Sequence, residues 1–248
     1  MNKITPLIIA AGLLFAACTE TSNPEPEEQA NGLTFIHLND IYRVGAVEDG
    51  KRGGLSRIVT LVRELQAQGR DVHVLHGGDF LYPSLESNLW DGLQMVDAMN
   101  FVDAVAPLHV TAGNHEFDRR GPKQLVAAIQ ASEFDWLGDN YVFKTGNDVA
   151  DQALQPAFTF EHEGKTVGVF ALTLHAYDGG NDREYLEIDR EYKAAAERTI
   201  VELENRGVDM IIGVTHLLMW KDVEIASLKA DHPKLAFIVG GHDHEPQY

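Results

Sequence analysis

Five short apolar runs in this chain end on, or lead straight into, side chains able to hold a metal ion, and that coincidence limits the possible folds more than any other feature. Leu33–Leu38 is followed by Asn39 and Asp40, and Val72–His76 by Gly77, Gly78 and Asp79. A run over Ala104–Val110 precedes "GNHEFD" at 113–118, Met210–Thr215 ends at His216, and Leu235–Val239 precedes "GGHDH" at 240–244. Two further runs, Ala157–Glu161 and Thr166–Leu172, complete the expected strands. Amphipathic stretches fall between them: Gly54–Gln68, Leu89–Met99, Pro122–Ala131, Arg190–Arg206 and Val223–Ala230. In the first of these, Leu55, Ile58, Val59, Val62 and Leu65 share one helical face. Strands alternating with helices predict a largely parallel α/β arrangement. Open sheets of that kind collect ligands beyond the carboxyl ends of their strands, where these clusters fall.

Composition narrows the partners. With 44% hydrophobic residues over 248 positions, the chain can bury a full core. A net charge of -18 argues against a nucleic-acid polymer, whose phosphates need lysines and arginines to displace their counterions. A small phosphorylated substrate is still compatible, provided that bound ions supply the local positive charge.

The amino terminus reads as an export signal. "MNKITPLIIAAGLLFAAC" has one lysine, then an apolar run from Ile4 to Ala17 that is too short to span a bilayer, which takes about 20 residues. Its "LFAAC" ending resembles a bacterial lipobox, which makes residues 1–17 a signal peptide and Cys18, the single cysteine, the lipidated residue. Thr19 after that cysteine points to the outer membrane of a Gram-negative envelope. Residues 18–32 read as an acidic, proline-bearing tether, and 33–248 as the folded domain.

Two divalent ions sharing a site need a bridging carboxylate, nitrogen or oxygen ligands on either side, and an exchangeable water. Asp79 suits the bridge, Asp40 one ion, and His216 with His242 the other. His244, two residues past His242, can face the neighbouring ion, and Asn114 offers a neutral oxygen. His115 is then available as a proton donor to a leaving alkoxide, with Asp118 three residues on to hold its ring.

In their order, Asp40, "GGD" at 77–79, "GNHEFD", His216 and "GGHDH" resemble the calcineurin-like metallophosphoesterases, in particular the 5'-nucleotidase branch. The resemblance implies a first metal site of Asp40, Asp79 and His244, and a second of Asp79, Asn114, His216 and His242. It makes His115 and Asp118 the catalytic dyad. It further implies a four-layer α/β/β/α sandwich with two ions, of zinc, manganese, magnesium, cobalt or iron, where the sheets meet. The expected activity is hydrolysis of phosphomonoesters of extracytoplasmic nucleotides. Nucleotide-sugar or cyclic-nucleotide hydrolysis at the same site, and a non-catalytic surface module, are the competing readings.

Two departures from the resemblance stand out. Relatives carry Asp-x-His in the first motif, whereas this chain has Tyr42 two residues past Asp40. Tyr82, in "GDFLY", falls as in the Gly-Asp-x-x-Tyr of purple acid phosphatases, so either phenol or water can fill the gap; packing is the expectation for each tyrosine singly. The last strands of the sandwich and a C-terminal specificity domain are also expected after "GHDH", and the sequence stops at Tyr248. Among other residues, His37, His73, His76 and His109 read as core or sheet-edge histidines, His162, His175 and His232 as solvated, and the three tryptophans as packing residues. Arg119 and Arg120 read as solvated or as leading into the next helix, and 177–185 as a flexible loop near the site.

Overall fold

The structure, a computed structural model, describes residues 32–175 and 183–244. Cys18, most of the tether and the greater part of 177–185 lie outside the described residues.

Two sheets face each other. The first contains β1 (Leu33–Leu38), β2 (Asp71–His76), β3 (Leu108–Thr111), β4 (Asp135–Leu137) and β5 (Leu154–Gln155), in that spatial order and all parallel. The second has the order β9 (Leu235–Gly240), β8 (Met210–His216), β7 (Lys165–Thr173) and β6 (Phe158–His162), with only β6 antiparallel to its neighbour. Side chains alternate along the strands, so each sheet has two apolar faces. From β1 and β2, Ile36, Val72 and Val74 face outward, toward helices α1 (Leu55–Ala67), α2 (Leu93–Asp103) and α3 (Lys123–Ala131). From β7 and β8, Phe170, Leu172 and Ile211 face α4 (Tyr192–Asn205) and α5 (Met219–Ala226). Leu75, Val167, Val169, Ala171, Ile212 and Val214 fill the layer between the sheets. The result is the expected α/β/β/α sandwich.

Register brings the strand ends together. Leu38 lies beside His76 and His76 beside Val110, so the loops after β1, β2 and β3 leave the first sheet at one edge. Thr173 pairs with His216 and Thr215 with Gly240, which does the same for the second sheet.

Several sequence expectations need correction. Ala104–Val110 is not one strand: Ala104 caps α2 in helical geometry, and pairing begins only at Leu108. The apolar residues 104–106 belong to the helix end, where Ala106 enters the core. The helix expected over Leu89–Met99 is two helices, Leu85–Trp90 and α2, because Asp91 and Gly92 both take left-handed backbone angles. Trp136 is buried, but Trp90 and Trp220 are more than half exposed. His162 and His232 pair with Asp71 and Glu204 at 2.7 and 2.9 Å rather than sitting free in solvent. Among the described residues no helix is long and apolar enough to cross a membrane.

Candidate metal centre

The loops after β1, β2, β3 and β9, with the last residue of β8, bring all six expected ligands and the His115–Asp118 pair to the shared edge. Asp79, His216 and His242 place donor atoms within 4.8 Å of one another, and so do Asp40, Asp79 and His244. Asp79 is common to both groups and fully buried. Asn114 joins the first of these through Oδ1, 3.3 Å from His216 Nε2. Asp79 thus stands between two groups of donors, each able to hold a metal ion.

Each donor is held by what lies behind it. His216 Nδ1 lies 2.6 Å from the carbonyl of Gly77, which can only accept, so the proton is on Nδ1 and Nε2 presents its lone pair. Asp40 Oδ2 accepts from Asn39 Nδ2 and from the amide of His242, leaving Oδ1 turned to the site. Asp79 Oδ1 accepts the amide of His115 at 2.8 Å, while Oδ2 lies 3.2 Å from His216 Nε2. Burial alone would push Asp79 up, but His216 and His115 hold its carboxyl below the usual range. Burial would likewise depress His216, yet Asp79 raises it overall. Such mutual stabilisation means that the pocket favours positive charge next to Asp79.

The backbone carries strain at these positions. Asp40, Asp79, His242 and His244 have φ of 52, 63, 83 and 57°, in the left-handed region that non-glycine residues avoid. Four of the six expected ligands in that region mark a site whose surroundings impose its geometry. Two glycines make it possible: a Cβ on Gly78 would lie 2.4 Å from the amide nitrogen of Gly113, and one on Gly113 would lie 2.2 Å from Asp79 Oδ1.

Glu116, inside "GNHEFD", is a residue to which the sequence reading gives no role. Its buried carboxylate accepts four backbone N–H groups, from Asp79, Phe80, Leu81 and Gly113, at 2.6 to 2.9 Å. It therefore clamps the loop after β2 to the loop after β3. An acid placed between the expected proton donor, His115, and an apolar phenylalanine is the available signal.

The dyad is formed. His115 Nδ1 lies 3.0 Å from Asp118 Oδ2, and His115 Nε2 4.0 Å from Asp79 Oδ2. The hydrogen bond that His115 Nδ1 donates to Asp118, against the effect of burial, sets the His115 imidazole above its ordinary value. Arg119 is not simply solvated: its guanidinium lies over the Tyr82 ring at 4.4 Å and donates to Asn88. Arg183 donates to the carbonyls of Phe117 and Asp118, tying the stretch that follows the undescribed segment to the dyad loop.

The two tyrosines differ sharply. Tyr82 is buried in the first-sheet core and its hydroxyl meets no partner among the described residues. Tyr42 points into the centre, with its oxygen 3.3 Å from Asp40 Oδ1, 3.2 Å from Asp79 Oδ2 and 3.1 Å from His244 Nε2. Burial, then the two carboxylates, push this phenol well above its ordinary value. Beside it a groove of about 860 Å³ is lined by Asp40, Tyr42 and His244 together with Met219, Asp222 and Ile238.

A largely parallel sandwich with acid and imidazole donors gathered at its strand ends is the setting of a metal-dependent hydrolase, and comparison gives the family. Residues 33–246 match the calcineurin-like phosphoesterase family, to which the chain belongs. It is 32% identical over 266 residues to a 5'-nucleotidase of Vibrio cholerae, covering 99% of this chain and 46% of that protein. A probable 5'-nucleotidase of Treponema pallidum is 28% identical over 240 residues, covering 88% and 37%. The crystal structure of a 5'-nucleotidase precursor from Thermus thermophilus superposes with a TM-score of 0.70 at 25% identity, over 87% of this chain and 43% of that one. The chain thus spans less than half the length of these relatives.

Proposed function

We propose that this chain is the catalytic domain of a metal-dependent phosphomonoesterase of the 5'-nucleotidase type, acting on small extracytoplasmic nucleotides. The observation that carries this reading is the pair of donor groups joined at Asp79, with the His115–Asp118 dyad against the same carboxylate. The donor chemistry fits two ions: Asp40, Asp79 and His244 would hold one, and Asp79, Asn114, His216 and His242 the other. Bound there, the ions would polarise the phosphoryl group and lower the pKa of the attacking water. The protein's own share is positional. His216 is fixed as the tautomer that presents Nε2, and Asp40 is turned by Asn39 and by the His242 amide. His115, with Nδ1 held by Asp118, carries a proton on Nε2 and gives it to the departing alkoxide oxygen. Nucleotidase-named relatives support a nucleotide as substrate. The export reading supports an envelope location, with residues 1–17 removed, Cys18 lipidated and 18–32 as the tether.

The test is hydrolysis of 5'-AMP by the full chain loaded with Zn(II) or Mn(II), before and after chelation. Asp79→Asn and His115→Ala should each lower kcat by about a hundredfold or more. Undiminished turnover in either variant, or after chelation, would end this reading. A panel including nucleotide sugars and cyclic nucleotides then sets the substrate range.

A further inference from the structure

Building on the proposed metal centre, we infer that Tyr42 is itself a ligand of the first ion, its phenolic oxygen completing the donor set of Asp40, Asp79 and His244. Geometry is the ground. A first-row ion with ligands at about 2.1 Å has neighbouring donors about 3.0 Å apart in an octahedron and about 3.4 Å apart in a tetrahedron. The Tyr42 oxygen stands 3.3, 3.2 and 3.1 Å from Asp40 Oδ1, Asp79 Oδ2 and His244 Nε2. His244 Nε2 stands 2.9 Å from Asp40 Oδ1. These spacings are those expected between ligands of one ion, so the phenolic oxygen would hold it together with the carboxylates and the imidazole. A tyrosine that merely packed beside the centre would turn its ring edge to these donors. Instead the ring stands edge-on to His115, nearly perpendicular at 87° with centroids 5.9 Å apart, and its oxygen is directed at the donors. Tyr82 has no comparable claim, since its buried hydroxyl contacts none of them.

The consequence is a difference between the two ions. The first has three oxygen donors that carry charge when the ion is bound, from Asp40, Asp79 and Tyr42, and one imidazole. The second has two imidazoles, one shared carboxylate and the neutral amide of Asn114. Anionic oxygen donors suit harder ions, whereas imidazole suits zinc and its neighbours. The first position therefore selects a hard, highly charged ion such as Fe(III), and the second a softer divalent one. On binding, the phenol exchanges its O–H bond for an O–metal bond and releases the proton to solvent, with no change of oxidation state.

The experiment is reconstitution of the metal-free full chain with Fe(III) and Zn(II), reading metal per chain together with the visible spectrum. A phenolate bound to Fe(III) gives a visible charge-transfer band that carboxylate and imidazole ligands do not. Expected is two ions per chain with such a band, its resonance Raman modes shifting when the tyrosines are ring-deuterated. Tyr42→Phe should abolish the band and weaken the first ion about tenfold to a hundredfold, while Tyr82→Phe should leave both unchanged. Tyr42→His should restore two ions, now both Zn(II), without the band; this variant keeps a donor in place and guards against a collapsed Tyr42→Phe protein. Two bound ions with no band, or a band that survives Tyr42→Phe, would overturn the assignment while leaving the phosphoesterase reading intact. A wild-type chain that takes up no metal would overturn both.

Discussion

Residue by residue, the centre is governed by groups that stand outside the expected donor set. Glu116 holds four amides with one buried carboxylate, so its replacement by an uncharged isostere turns an acceptor into a donor facing donors. Glu116→Gln should cost about 3 kcal/mol in denaturant unfolding and weaken metal uptake in calorimetric titration. Unchanged values in both would show that the clamp is dispensable. Asp118 acts on the ring of His115 and contacts no expected ligand in the structure. Asp118→Asn should therefore lower kcat on 5'-AMP about tenfold to a hundredfold, with KM and metal content unchanged. Loss of metal in that variant would mean that Asp118 supports the centre and not the proton donor.

Between elements, the site exists because two loops approach more closely than side chains allow. The loop after β2 passes the loop after β3 at Gly78, where φ is +85° and a Cβ would strike the Gly113 amide nitrogen at 2.4 Å. Gly78→Ala faces both strain and overlap with backbone, so the loops must separate. Its thermal midpoint should fall by several degrees, corresponding to about 2–4 kcal/mol, and metal binding should weaken with it. Wild-type affinity in a destabilised variant would separate the fold from the site. Elements that the sequence pattern misses or merges are short or interrupted. β4 and β5 are three and two residues long, and only their parallel neighbours make them strands. The break between Leu85–Trp90 and α2 was legible in the Asp91-Gly92 pair, a turn dipeptide within an otherwise helical pattern.

Across the molecule, the sheets also meet away from the metal edge, around buried histidines. His109 Nδ1 lies 3.1 Å from Asp135 Oδ2 and therefore donates to it, so His109 Nε2 accepts from His73 Nδ1 at 3.0 Å. His73 in turn stacks on Phe160 of the facing sheet, with centroids 4.0 Å apart. Burial, and then His109, lower the His73 imidazole to about 4. An unfolded histidine titrates near about 6.5, so between those values the unfolded chain binds more protons than the folded one. The stability from a neutral His73 is present above about pH 6.5 and is lost as pH falls toward 4, amounting to about 2 kcal/mol by pH 5. Unfolding of wild type and His73→Gln at about pH 7 and pH 5 checks this: the variant should lose less. Equal losses would place the acid sensitivity elsewhere.

The alternation of strands and helices, the family, and the clusters of acids and histidines that gather at the strand ends were legible in the linear chain. These are local matters: an apolar period chooses strand or helix, and a strand leading into acids and histidines declares its end. β1 runs over Leu33–Leu38 as the sequence indicates, and all six expected ligands converge. Roles that depend on distances across the chain emerged only from the folded arrangement. Glu116 becomes a clamp because the loop after β2 folds against it, some thirty-five residues away in sequence. Tyr42 and Tyr82 are both phenols near an acid in the sequence, and either satisfies the motif. One turns its hydroxyl to three donors and the other buries its own in the core, because side-chain direction follows from packing that no local pattern encodes.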